Sequence, residues 1–150
     1  MNYQLINKLN TEVPQLNNKY YKLLYIYESK FGNTLERYSE ENAIPYLNIN
    51  LILSEKLQHV QASRRPYRAA EYLKELLLET EKDIICIDYY ELLFEPSLNL
   101  NPFELFNSIS RNKTLLITWR GDIKDGYFIH AVPGHPEYVK MPIKDAVLIH

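Results

Sequence analysis

Residues Tyr27 to Thr34, YESKFGNT, join the apolar run KLLYIY to TLERYSEENA, a segment of helical character. A strand, a tight loop and a helix start in that order bring consecutive backbone N–H groups and the positive end of a helix dipole to one point, which is how proteins hold phosphate oxygens. The phosphate-loop pattern is GxxxxGK[ST]. Aligned on Gly32, the chain keeps Gly32 and Thr34 but has Tyr27 for the first glycine and Asn33 for the lysine. Ser29, Lys30, Phe31, Gly32, Asn33 and Thr34 are the candidate phosphate contacts, and the Thr34 hydroxyl is a candidate ligand for Mg²⁺. The exchanges weaken the cradle. Tyr27 restricts a backbone that glycine would leave free. Asn33 lacks the charge that meets the β- and γ-phosphates, and Glu28 opposes Lys30 as a substitute. The alternative role for Thr34 is a helix cap, worth about 1 kcal/mol.

A second constellation is IICID followed by YYELLF. An acid closing an apolar strand is the Walker B arrangement, in which Asp88 holds Mg²⁺ directly or through water. Glu91, three residues on, is the candidate for polarising a water. Asp88 and Glu91 are thus the candidate catalytic residues, and Thr34 and Asp88 the candidate metal ligands. Asp88 is expected on a strand neighbouring KLLYIY; a strand-end turn former is its alternative role. In LLITWRG, Thr118 is placed to sense a γ-phosphate and Arg120 to offer positive charge, or both belong to an alternating strand tail. SRRPYR groups Arg64, Arg65 and Arg68 ahead of a helix, suited to phosphate, nucleic acid or an acidic partner, to an arginine finger acting in trans, or to a solvated loop. The histidines have no metal-ligand spacing.

The elements that must position these groups alternate. Helical spacing of Leu5, Ile6, Leu9 and Val13 predicts a short helix within 3–16. Strands are expected at 22–27, 46–50, 83–88 and 113–121, with a helical turn at 54–59. The clearest helix is PYRAAEYLKELLLET, with Pro66 in its first turn, and another is NPFELFNSISR, capped by Asn101. After GDIKDG come a hairpin, YFIHAV and EYVKMPI joined by the turn PGHP, and a last strand, AVLIH. Strands alternating with helices imply βαβ units and a mainly parallel sheet, and ligands bind such sheets at the carboxyl ends of the strands. The expectation is one domain over 1–150, with 1–18 as an N-terminal helix or arm.

A net charge of −2 argues against a nucleic-acid or membrane binder. The single cysteine, Cys86, excludes a disulfide framework and a cysteine-based zinc site; it reads as a core thiol. MNYQLINKLNTEVPQLNN lacks the basic start and apolar centre of a signal peptide, and no apolar run approaches 18 residues. A cytoplasmic protein without a membrane anchor is the expectation. Of the 13 tyrosines, those in YYKLLYIY and DYYELLF flank apolar strands, where they cap core edges with their hydroxyls in water.

The stretches LNINLILSEKL, IDYYELLFEPSLNLNPFELFNSISRNKTLLITWRG and DGYFIHAVPGHPEY resemble the BrxF family of small P-loop proteins from type 3 BREX phage-defence systems. The likeness runs from about Leu23 to the C-terminus. It is most specific in ELLFEPSLNLNP, SRNKT and PGHPEY, which are not general NTPase motifs. The resemblance implies a P-loop NTPase-like α/β fold, a three-layer αβα sandwich with a mainly parallel sheet and a C-terminal β-hairpin. It also implies work inside a multi-protein antiviral complex. The family's Walker A threonine carries over onto Thr34, its last glycine onto Gly32, its Walker B aspartate onto Asp88 and the following acid onto Glu91. The departures at Tyr27 and Asn33 put ATP hydrolysis in doubt, and nothing resembles the helical lid of AAA+ machines. The expected function is a degenerate P-loop NTPase-like subunit that binds ATP and Mg²⁺ weakly or not at all. Its partners would be other subunits of the defence complex, with DNA reached through the complex and a homo-oligomer left open. The alternatives are an active ATPase completed by partner residues and a nucleic-acid-binding module.

Overall fold

The runs LLYIY, IICID and TLLITW are apolar with little alternation, as strands covered on both faces must be. In the computed structural model, which describes residues 3–150, they form the centre of a parallel sheet. Along the chain the helices are α1 (Tyr3–Glu12), α2 (Thr34–Glu41), α3 (Ile49–Leu57), α4 (Arg65–Glu79) and α5 (Pro102–Ile109). The strands are β1 (Leu23–Tyr27), β2 (Tyr46–Asn48), β3 (Ile84–Asp88), β4 (Thr114–Trp119), β5 (Asp122–Lys124), β6 (Tyr127–His130), β7 (Val139–Pro142) and β8 (Val147–Ile149). The larger sheet has the order β2-β3-β4-β1-β8, and each neighbouring pair is parallel. The smaller sheet, β5-β6-β7, is antiparallel. The chain is therefore α/β, as expected.

Parallel neighbours need crossover connections, and the helices supply them, covering both faces. Alternation sorts the strand residues. Leu24, Ile26, Cys86, Leu116 and Ile149 bury against Leu5, Ile6 and Leu9 of α1 and Leu35 and Tyr38 of α2. Leu23, Tyr25, Ile85, Ile87, Leu115 and Ile117 bury against α3, α4 and α5 through Leu53, Leu73, Leu77 and Phe106. The small sheet joins this second core by Phe128, whose ring lies 4.6 Å from Trp119 and 4.7 Å from Tyr25. Asn101 caps α5 as expected, accepting from Phe103 N and Glu104 N, with Pro102 in the first turn.

Two sequence expectations are corrected. Asp88 does not sit on a neighbour of β1: β4, whose six residues are all buried, lies between them. The strand expected over 46–50 stops at Asn48, because that side chain accepts from Leu51 N and caps α3 five residues before the expected helical turn. GDIKDG, to which the sequence assigned no element, contains β5 and a turn. Lys124 pairs with Tyr127 across Asp125 and Gly126, whose φ angles of 52° and 80° are those of a two-residue hairpin turn, so β5 extends the expected hairpin to three strands. The short helix expected within 3–16 is present, ending at Glu12, and Pro14 leads a 3-10 turn over Val13–Asn18. Of the arm expected over 1–18, residues 1–2 lie outside the described residues. The rest is packed on the sheet, not loose.

Candidate functional site

At the carboxyl end of the large sheet, one face gathers the polar groups. Ile26, Cys86 and Leu116 face α1 and α2, so the residues two further along, Glu28, Asp88 and Thr118, and then Arg120, come up on the same side. Thr118 pairs with Ile26 of β1 on one flank, and on the other stands one step past the Ile87–Ile117 pair, level with Asp88. Helix α2 starts above them with Thr34 as its first residue.

Glu28 is turned into the loop that follows it. Its Oε1 accepts from Ser29 N at 2.9 Å and its Oε2 from Thr34 N at 3.2 Å. Glu28 is 8% exposed and Thr34 1%. The carboxylate therefore occupies the point toward which the loop and the start of α2 direct their amides. Gly32 is pressed against it: a Cβ there would stand 2.2 Å from Glu28 Cδ. Asn33 is in the N-cap position of α2 but makes no side-chain cap bond, and Thr34, a possible cap by sequence, stands one residue inside the helix.

Asp88 is also fully engaged. Arg120 grips it in bidentate fashion, Nε to Oδ1 at 3.0 Å and Nη2 to Oδ2 at 2.8 Å. Tyr46 Oη donates to Oδ2 at 2.7 Å and Tyr89 N to Oδ1 at 2.8 Å. Four donors match the roughly four lone-pair sites of a carboxylate. The Arg120 Nη1 donates to Ser29 O at 2.8 Å and Lys30 O at 3.1 Å, tying β4, β3 and the loop together. Partial burial acts to lower the Arg120 pKa, but the hydrogen bond and charge of Asp88 outweigh it and the net shift is upward. Burial and the bond to Asp88 raise the Tyr46 phenol, which stays a donor. Cys86, two residues before Asp88, is buried with its thiol pushed up to about 12, chiefly by burial.

Two cavities flank the Arg120 wall. One, of about 740 Å³, is a polar cleft lined by the 28–34 loop, Arg120, Asp122 and His150. The other, of about 530 Å³, is more apolar and lies against Tyr89, Phe94, Trp119 and His130. Phe31, 87% exposed, borders both, as does Lys30. Asp88 is 1% exposed and lines neither. Glu91 borders the apolar cavity, away from Thr34, and accepts from Asn50 Nδ2 at 2.9 Å. Sequence reasoning thus placed Gly32, Thr34, Asp88 and Thr118 at one sheet edge, and they meet there. Glu91 stands apart from that group. Of the arginine loop, Arg65 Nε donates to Val60 O and Arg68 pairs with Glu71, so two of its three cations are already engaged.

A buried Mg²⁺ held by Asp88 and a phosphate held by the loop do not fit this arrangement. The carboxylate oxygens of Asp88 are saturated, and the loop amides at both ends of the cradle are taken by Glu28. One polar atom in the cluster is left over: Thr118 Oγ1 is buried without a hydrogen-bond partner. A buried unsatisfied hydroxyl costs about 1–3 kcal/mol. Thr118→Val is accordingly expected to leave stability unchanged or raise it by up to about 1 kcal/mol in chemical unfolding. A loss of that size would mean that the hydroxyl is satisfied after all.

No family model, curated protein or solved structure matches this chain. Among the described residues, no helix is long and apolar enough to cross a membrane. The groups that sequence reasoning undervalued are Glu28, read only as an obstacle to Lys30, and Arg120, read as a source of positive charge or as part of a strand tail. Their signal was present: each lies two residues past a strand position on the same face, with opposite charge.

Proposed function

We propose that the chain is a degenerate P-loop NTPase-like domain that serves as an interaction or regulatory subunit of a bacterial phage-defence complex of the BREX type, in the cytoplasm. Support for the P-loop reading comes from the parallel order β2-β3-β4-β1-β8, with the loop after β1 leading into α2 and an acid closing β3. The defence setting rests on the resemblance of ELLFEPSLNLNP, SRNKT and PGHPEY to the BrxF family. The observation that carries the loss of nucleotide chemistry is the bidentate Arg120–Asp88 pair, because it takes the metal-binding edge of the acid out of use. Glu91, the second candidate for catalysis, borders the other cavity and is held by Asn50.

Isothermal calorimetry with ATP and Mg²⁺ tests this reading. The expected result is binding weaker than about 1 mM, a free energy under about 4 kcal/mol in magnitude. Micromolar binding abolished by Asp88→Ala would overturn it and favour an ATPase completed by partner residues. Affinity capture without added nucleotide, from a host carrying the defence operon, should retain other subunits of that complex.

A further inference from the structure

Loss of a ligand usually leaves a loop loose, yet here both halves of the site are bonded to residues of the charge that the ligand would bring. We propose that Glu28 and Arg120 are built-in ligands. The Glu28 carboxylate fills the oxyanion place of the 28–34 loop and the Arg120 guanidinium fills the cation place at Asp88. The chain so holds its loop in a liganded shape without nucleotide. This rests on the reading of the chain as a degenerate P-loop domain and adds what fills the site and what the filling does.

A carboxylate is an acceptor-only anion with the hydrogen-bonding character of a phosphate edge. Glu28 collects amides from the two ends of the loop, Ser29 N and Thr34 N, and lies at the positive end of α2. The Gly32 backbone closes on it so tightly that not even a methyl group fits between them. The guanidinium gathers oxygens much as a hard cation does: both oxygens of Asp88 and the carbonyls of Ser29 and Lys30. An independent sign that the place was made for something polar is Thr118 Oγ1, 98% buried side chain and all, unpartnered on the face between the Asp88 and Glu28 strands. Pinned at both ends, the loop displays Phe31 at 87% exposure.

The test compares the wild-type chain, Glu28→Gln and Glu28→Ala, with inorganic phosphate as probe. The readouts are amide hydrogen exchange over residues 29–34 and phosphate-dependent melting. Loss of charge-assisted bonds should speed exchange about tenfold or more in both variants. Glutamine still fills the space, so phosphate should not slow its loop. Alanine empties it, so millimolar phosphate should restore slow exchange and raise the melting temperature. The wild type should ignore phosphate. Wild-type exchange rates in either variant, a phosphate response in the wild type, or a Glu28→Ala loop that phosphate does not slow would overturn the proposal. If Glu28→Ala does not fold, the exchange rate in Glu28→Gln decides alone. Wild-type binding of ATP and Mg²⁺, read separately by calorimetry, strikes at the proposed function; the Glu28 variants report only on who occupies the loop.

Discussion

Arg120→Ala is expected to destabilise the protein by about 3–5 kcal/mol, because it leaves the Asp88 carboxylate buried without its counter-charge. For a chain of this size that is a fall in melting temperature on the order of 10 °C. The loss exceeds that of an ordinary ion pair for two reasons. The pair is 8% and 1% exposed at its two side chains, so water cannot take over, and the same guanidinium also holds Ser29 O and Lys30 O. The donors from Tyr46 and Tyr89 remain and keep the cost from rising further. Arg120→Lys should recover only part, since an ammonium keeps the charge but cannot span two carboxylate oxygens and two carbonyls in one plane. Asp88→Asn combined with Arg120→Met should lie well above Arg120→Ala in stability, because removing both charges removes the need to pair either. Urea unfolding of the three variants checks the ordering. A cost under about 1 kcal/mol for Arg120→Ala, the range of exposed pairs, would mean that the pair is open to solvent.

Much of this architecture was legible. Unbroken apolar runs announced β1, β3 and β4, and strand–helix alternation announced the parallel sheet and the edge at which Gly32, Thr34, Asp88 and Thr118 meet. Strand order was not legible. Nothing local in TLLITW says that it separates the other two strands; only the fully buried environment of all six residues does, and that is a property of the assembled sheet. Asn48 misled in a different way. It reads equally as the middle of a strand or as a cap, and the capping bond to Leu51 N settles it. The site was half legible for a related reason. A motif comparison scores Tyr27 and Asn33 as losses, but compensation comes from Glu28, one residue along, and from Arg120 on another strand. Charges that replace a ligand are invisible to a pattern written for residues that bind one. Period-two alternation carried the missing information, since it puts Glu28, Asp88 and Arg120 on one face.

Gly32→Ala separates a self-filled loop from an empty one. In a phosphate loop without its phosphate, a methyl group at this glycine would meet open space. The backbone of Gly32 is outside the left-handed region that favours glycine, so alanine would be neutral or stabilising by about 0.4–1 kcal/mol through the unfolded state. Here the methyl group would lie 2.2 Å from Cδ and Oε1 of Glu28. Something must yield, and the end of the Glu28 side chain is the softest element in contact. Displacing it forfeits two charge-assisted bonds of about 1.5–3 kcal/mol each, offset in part by the carboxylate regaining water. A net destabilisation of about 2–3 kcal/mol follows. The decisive quantity is the coupling. In a Glu28→Ala background the obstacle is gone, and Gly32→Ala should cost nothing beyond about 0.5 kcal/mol. A double-mutant cycle in urea therefore reads the contact itself, free of any general penalty for altering the loop. Equal costs in the two backgrounds would show that Gly32 is constrained by its backbone and that the Glu28 carboxylate does not lie beneath it.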